Sequence, residues 1–82
     1  MPGKQVATLY SDVVDITYEY LGPAADRFVT RQIRNHLGKA PDELKKKDLR
    51  DLISWIKVAM SLLTDDDRLI DKYITDLRLL AS

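Results

Sequence analysis

Apolar residues recur along the chain at steps of three and four, and three breaks divide that recurrence into four stretches. In the first, Val6, Leu9, Val13, Ile16 and Tyr20 fall on one arc at about 100° per residue, widened by Tyr10, Thr17 and Leu21. This predicts a helix over 5–21 with Asp12, Asp15 and Glu19 together on another face. Gly22-Pro23 interrupts it. Proline at the first helical position gives up an N–H that has no partner there anyway, so a second helix is expected over 23–37, with Ala25, Phe28, Val29, Ile33 and Leu37 inward. Gly38 supplies the left-handed residue that commonly ends a helix, and Pro41-Asp42-Glu43 reads as a short helical turn within 42–47.

The third helix is expected over 48–63. Its apolar positions, from Leu49 through Trp55 to Leu63, cover about half the circumference, a breadth that suggests a central element touched by several neighbours. Thr64-Asp65-Asp66-Asp67 then reads as a hydroxyl cap followed by acids in a first turn. A fourth helix follows over 65–80, with Leu69, Ile70, Tyr73, Ile74, Leu77 and Leu80 on one stripe. No strand-type alternation is sustained and no Asn-Gly or Asp-Gly hairpin signal occurs. The expectation is an all-α single domain, a compact four-helix bundle or orthogonal helical array. Each helix alone would be marginal in water, so packing must hold them, with Phe28 and Trp55 as the expected large anchors.

Composition narrows the chemistry. The 82 residues are 45% hydrophobic and 32% charged, ordinary for one soluble domain. The absence of cysteine excludes disulfides, thiolate metal sites and cysteine nucleophiles, and a single histidine argues against a zinc centre. That histidine, His36, falls by angle between Val29 and Ile33 and is expected to point inward. Four-helix histidine phosphotransfer domains follow their phosphoacceptor with a lysine–glycine pair, whereas His36-Leu37-Gly38-Lys39 has the order reversed, so that reading is rejected. Asp65-Asp66-Asp67 lacks the alternating ligands and bend glycine of a calcium loop. The serines have no base and no Gly-x-Ser-x-Gly elbow, and there is no glycine-rich phosphate loop. No enzymatic activity, metal or cofactor is expected. No apolar run approaches the length of a membrane span, and a cytoplasmic location is expected.

Thirteen basic and thirteen acidic side chains cancel, yet they are unevenly placed. Residues 23–63 hold nine basic against five acidic, a surplus of four, while each flanking segment carries a deficit of two. Arg27, Arg31 and Arg34 share one stripe, followed by Lys39 and Lys45-Lys46-Lys47; Asp12, Asp15 and Glu19 form the opposing stripe. Such surfaces suit an acidic protein partner, self-pairing into a homodimer, or plain solvation. The alternative is a small nucleic-acid-binding domain using the basic 27–50 segment, although a DNA reader normally carries clear positive charge. Tyr18 falls off the apolar arc of its helix, as do Val58 and Leu79 on theirs; these would form a docking patch if they converge.

The run Tyr20-Leu21-Gly22-Pro23-Ala24-Ala25, then an arginine-bearing helix and Asp48-Leu49-Arg50-Asp51-Leu52, resembles a small helical module of bacterial signalling proteins. That module is appended to kinases, response regulators and regulators of GTPases. The resemblance spans roughly residues 18–64 and implies a helical fold and a non-catalytic interaction or regulatory role in a prokaryotic signalling protein. The contact residues expected on charge and exposure are Arg27, Arg31, Arg34, Lys39, Tyr18, Asp12, Asp15 and Glu19.

Overall fold

The computed structural model describes residues 8–82, folded as one globule of 39 × 24 × 24 Å that contains only helices, turns and connections. Four α-helices are present, α1 (Leu9–Leu21), α2 (Ala25–Gln32), α3 (Lys46–Leu63) and α4 (Asp67–Ala81). α3 packs along α4, and α1 packs against both α2 and α4. Val13, Val29, Ile33, Leu49, Leu52, Ile56, Met60, Tyr73 and Leu77 meet in one core that excludes water almost completely.

The helix ends follow from local hydrogen-bonding chemistry. α1 starts at Leu9 because the Thr8 hydroxyl accepts the Ser11 N–H at 3.0 Å, later than the expected start at Gln5. The Val6 position of the predicted arc lies outside the described residues. Gly22 stands at φ 61°, ψ −141°, a conformation that residues with a Cβ rarely adopt, and its N–H closes on the Tyr18 carbonyl. Pro23 sits in a 3₁₀ turn (Gly22–Ala24) that leads into α2, so the proline precedes the α-helix proper.

α2 does not continue as an α-helix to Leu37. Its last turn, Ile33–Leu37, is a π turn closed by Gly38 in the left-handed region. A 3₁₀ turn at Pro41–Glu43 packs against α1, and Leu44 just after it enters the core. α3 begins at Lys46, two residues earlier than expected, because the Asp48 carboxylate accepts the Lys45 N–H at 3.1 Å. The Lys39 ammonium bridges the same carboxylate at 2.7 Å and holds its pKa below the ordinary aspartate value. At α4 the cap is Asp66, which accepts the Leu69 N–H at 3.1 Å. Thr64, the expected cap, instead closes α3 and accepts the Asp66 N–H. The acidic run is used in capping.

Two expected anchors are misplaced. Phe28 is only partly buried, and Trp55 is 41% exposed. The largest fully buried side chain is Tyr73. Its hydroxyl lies 2.5 Å from that of Thr17, which also donates to the Val13 carbonyl at 2.8 Å, so the α1–α4 seam carries a satisfied polar pair inside the core. Beside it the Tyr20 ring lies 4.9 Å from the Tyr73 ring, and its hydroxyl donates to Asp76 at 2.5 Å. Burial pushes the pKa of both phenols up to about 12, and for Tyr20 the neighbouring Asp76 carboxylate adds to the effect.

Candidate functional site

The basic stripe predicted on the second helix is present: Arg27 and Arg31 on α2 and Arg34 in the π turn that follows are all exposed. Lys39 stands apart from it, engaged with Asp48 in the only ion pair among the described residues. The arginines therefore face solvent without carboxylate partners, and residues 1–7 contain no acidic side chain that could supply one. Asp26, on the same helix, is taken up by hydrogen bonds from the Tyr10 hydroxyl and from Thr30. Around the stripe, Pro23, Asp26, Thr30 and Asn35 complete a shallow depression.

Behind Arg27 and Arg31 lies a second concavity that the charge pattern does not reveal. It is an apolar groove of about 330 Å³ between α2 and the C-terminal end of α3, walled by Ala24, Phe28, Gln32, Ala59, Leu62 and Leu63. Leu62 is 83% exposed at its mouth, and Leu63 is also exposed. Gln32 contributes to the wall at 6% exposure, and its Oε1 is buried without a hydrogen-bond partner. A buried acceptor left unpaired is destabilising by about 1–3 kcal/mol, so this one is a feature to be explained.

At the other end the same seam is closed. The His36 and Trp55 rings stack with centroids 4.0 Å apart and planes 5° from parallel. His36 is exposed, contrary to the inward position its α-helical angle predicts. The π turn is the cause. A wider turn advances each residue by less than 100°, so by His36 the side chain lags behind the Val29–Ile33 face and emerges beside α3. Nothing in Ile33-Arg34-Asn35-His36-Leu37 announces that change of pitch.

On α1, Asp15, Tyr18 and Glu19 are exposed, with Asp12 half-buried on the same side, so the acidic stripe and its tyrosine form one surface. Tyr18 is 57% exposed, and Val58 and Leu79 are exposed as predicted on α3 and α4. None of the three lines the arginine-edged groove or the depression beside it. Sequence reasoning missed the groove. Its only trace is the broad apolar arc of α3, which suggests centrality but includes Trp55, Leu62 and Leu63 on the surface.

Among the described residues no three His, Asp or Glu side chains are grouped to hold a metal ion, and no helix is long and apolar enough to cross a membrane. No family model, curated protein or solved structure matches the chain.

Proposed function

We propose that this chain is a non-catalytic contact module, a four-helix unit that binds an acidic, amphipathic protein segment at the arginine-edged groove. The observation that carries this reading is one surface with three elements: apolar walls open to solvent, unpaired arginines along one edge, and a wall residue, Gln32, whose buried amide oxygen has no partner. Apolar walls favour a greasy anchor, and the arginines favour carboxylates next to it. The likeness of Tyr20–Ala25 and Asp48–Leu52 to the bacterial signalling module supports the same role, and with it a regulatory place in a cytoplasmic, prokaryotic protein.

The runner-up is nucleic-acid binding through the same three arginines. It leaves the apolar groove and the buried amide without a purpose, since phosphate contacts need neither. One experiment decides between the two. Backbone amide signals are followed by NMR while the protein is titrated with an acidic amphipathic helical peptide, its charge-reversed twin, and duplex DNA. The expected result is movement at Ala24, Phe28, Gln32, Ala59 and Leu62 with the acidic peptide alone, weakened by salt and removed by Arg31→Glu. No movement with that peptide overturns the proposal. Movement confined to Arg27–Asn35 with DNA, falling steeply with salt, establishes the alternative.

A further inference from the structure

We infer that the occupant of the groove is a second copy of this chain, which inserts Tyr18 of its α1 and brings Asp15 and Glu19 against Arg27 and Arg31. The inference rests on the contact-module reading and adds the identity of the partner.

The chemistry of the groove describes what should enter it. A volume of about 330 Å³ is at the lower end for a ligand pocket and suits one large side chain. The walls favour an apolar body, and a donor on that body would give the buried, unpaired Gln32 Oε1 a partner once the amide turns toward the groove. Rotation of the amide about its last torsion is soft, so the acceptor can turn to meet a group that arrives in the groove. The large apolar side chains exposed among the described residues can be tested one by one against this description. Leu62 and Leu63 belong to the groove itself, and Trp55 is already stacked on His36. Val58 and Leu79 have no donor. Tyr18 has a phenol ring and a hydroxyl, and the ring stands out from its helix.

Charge makes the same selection. Asp15 lies one helical turn before Tyr18 and Glu19 directly after it, both exposed and both without an ion pair among the described residues. Arg27 and Arg31 edge the groove and are unpaired as well. Within one chain the two sets are separate; across two chains an aromatic flanked by carboxylates meets an apolar slot flanked by guanidiniums. Because every copy carries both halves, a two-fold arrangement repeats the contact twice and closes as a dimer.

Sedimentation at low and high salt tests this on the full chain. The wild type is expected to be a dimer that weakens as salt rises. Tyr18→Ala should weaken association by about 30-fold or more, as loss of a central anchor does. Tyr18→Phe should weaken it by about 3–10-fold, the worth of one hydrogen bond. Arg27→Glu with Arg31→Glu should leave monomers. Mixing those charge-reversed chains with Tyr18→Ala chains should give a one-to-one complex weaker than the wild-type dimer, because one contact is then intact while the other sets Asp15 and Glu19 against the introduced acids. All variants change exposed residues, and unchanged melting by circular dichroism verifies that they fold. A wild-type monomer at millimolar concentration, or a dimer indifferent to Tyr18→Ala, overturns the inference. If such a monomer still binds the acidic peptide in the groove, self-docking is excluded and the contact-module reading stands. If neither occurs, both fall.

Discussion

Two interhelical seams in this small protein use polar groups in opposite ways. Between α1 and α4, Thr17, Tyr73, Tyr20 and Asp76 bury or half-bury their hydroxyls and carboxylate in a set where every member has a partner. Between α2 and α3, Gln32 buries an oxygen that has none, and a groove of about 330 Å³ opens beside it. A fully satisfied polar group inside a core rigidifies and specifies packing, whereas an unsatisfied one is strain that binding can relieve. The first seam holds the molecule together. The second leaves a groove open to solvent.

The sharpest way to break this contrast is to truncate one residue from each seam. Tyr73→Ala should destabilise the fold by about 3–5 kcal/mol, since it removes the largest fully buried side chain. Leu62→Ala, at the mouth of the groove, should change stability by no more than about 0.5 kcal/mol. Chemical denaturation of the two variants makes the comparison directly, and similar losses would erase the distinction between the seams.

Smaller in size, and opposite in sign, is the effect expected at Gln32. Gln32→Met keeps the length of the side chain and removes the unpaired oxygen, so it should be neutral or should stabilise by up to about 1–3 kcal/mol. The same change should weaken whatever fills the groove. A loss of stability on denaturation would show that the amide is already satisfied, and that the second seam is as complete as the first.

The tyrosine seam makes a prediction in pH. Both phenols titrate near 12 in the folded protein against an ordinary value near 10. The unfolded chain therefore releases these protons first, and stability that is complete below pH about 10 is lost as the pH rises toward about 12. Thermal melts across that range should fall steeply. Tyr73→Phe should shallow the decline, with a loss near neutrality of only about 0.5–1.5 kcal/mol for the missing hydrogen bond to Thr17.

The smallest effect lies away from both seams. Asp48→Asn weakens the Lys39 bridge and the acceptor at the start of α3, a loss of about 1 kcal/mol for a pair at the partly buried edge of the surface. Because Lys39 lowers the Asp48 pKa, its contribution is present above the ordinary carboxylate range and disappears as the pH falls through the folded value. Acid titration of wild type and variant should converge at low pH.

Much of the architecture was legible because helix ends are written in local chemistry. Gly22-Pro23, Gly38 and the Thr64–Asp67 run mark three boundaries to within a residue or two, and the three-four spacing assigns Val13, Val29, Leu52, Ile56 and Leu77 to the inside. The errors share a physical origin. His36 was put inside by assuming a uniform pitch, which the π turn breaks. Trp55 was put inside because it is large and apolar, but its angle lies at the margin of the buried arc, where the neighbouring helix is within reach only of a stacked ring. Thr17 and Tyr73 are 56 positions apart, so their hydroxyl pair could not be read from either element alone. The site divides in the same way. Exposure of Arg27, Arg31, Arg34, Tyr18, Asp15 and Glu19 follows from helical angle, whereas the groove forms where the Ala24–Gln32 segment meets the end of α3, two stretches far apart in sequence, and has no local signature.

The stack at the closed end of the α2–α3 seam has a practical consequence for spectroscopy. Trp55 is the sole tryptophan in the chain, and its indole rests flat on the imidazole of His36, a few turns along from Phe28 and Leu62. Red-edge excitation therefore lights a single residue, and its emission colour and polarisation monitor the spacing of α2 and α3. Opening or clamping of that pair of helices becomes visible in a cuvette, without a dye, an isotope or an added cysteine.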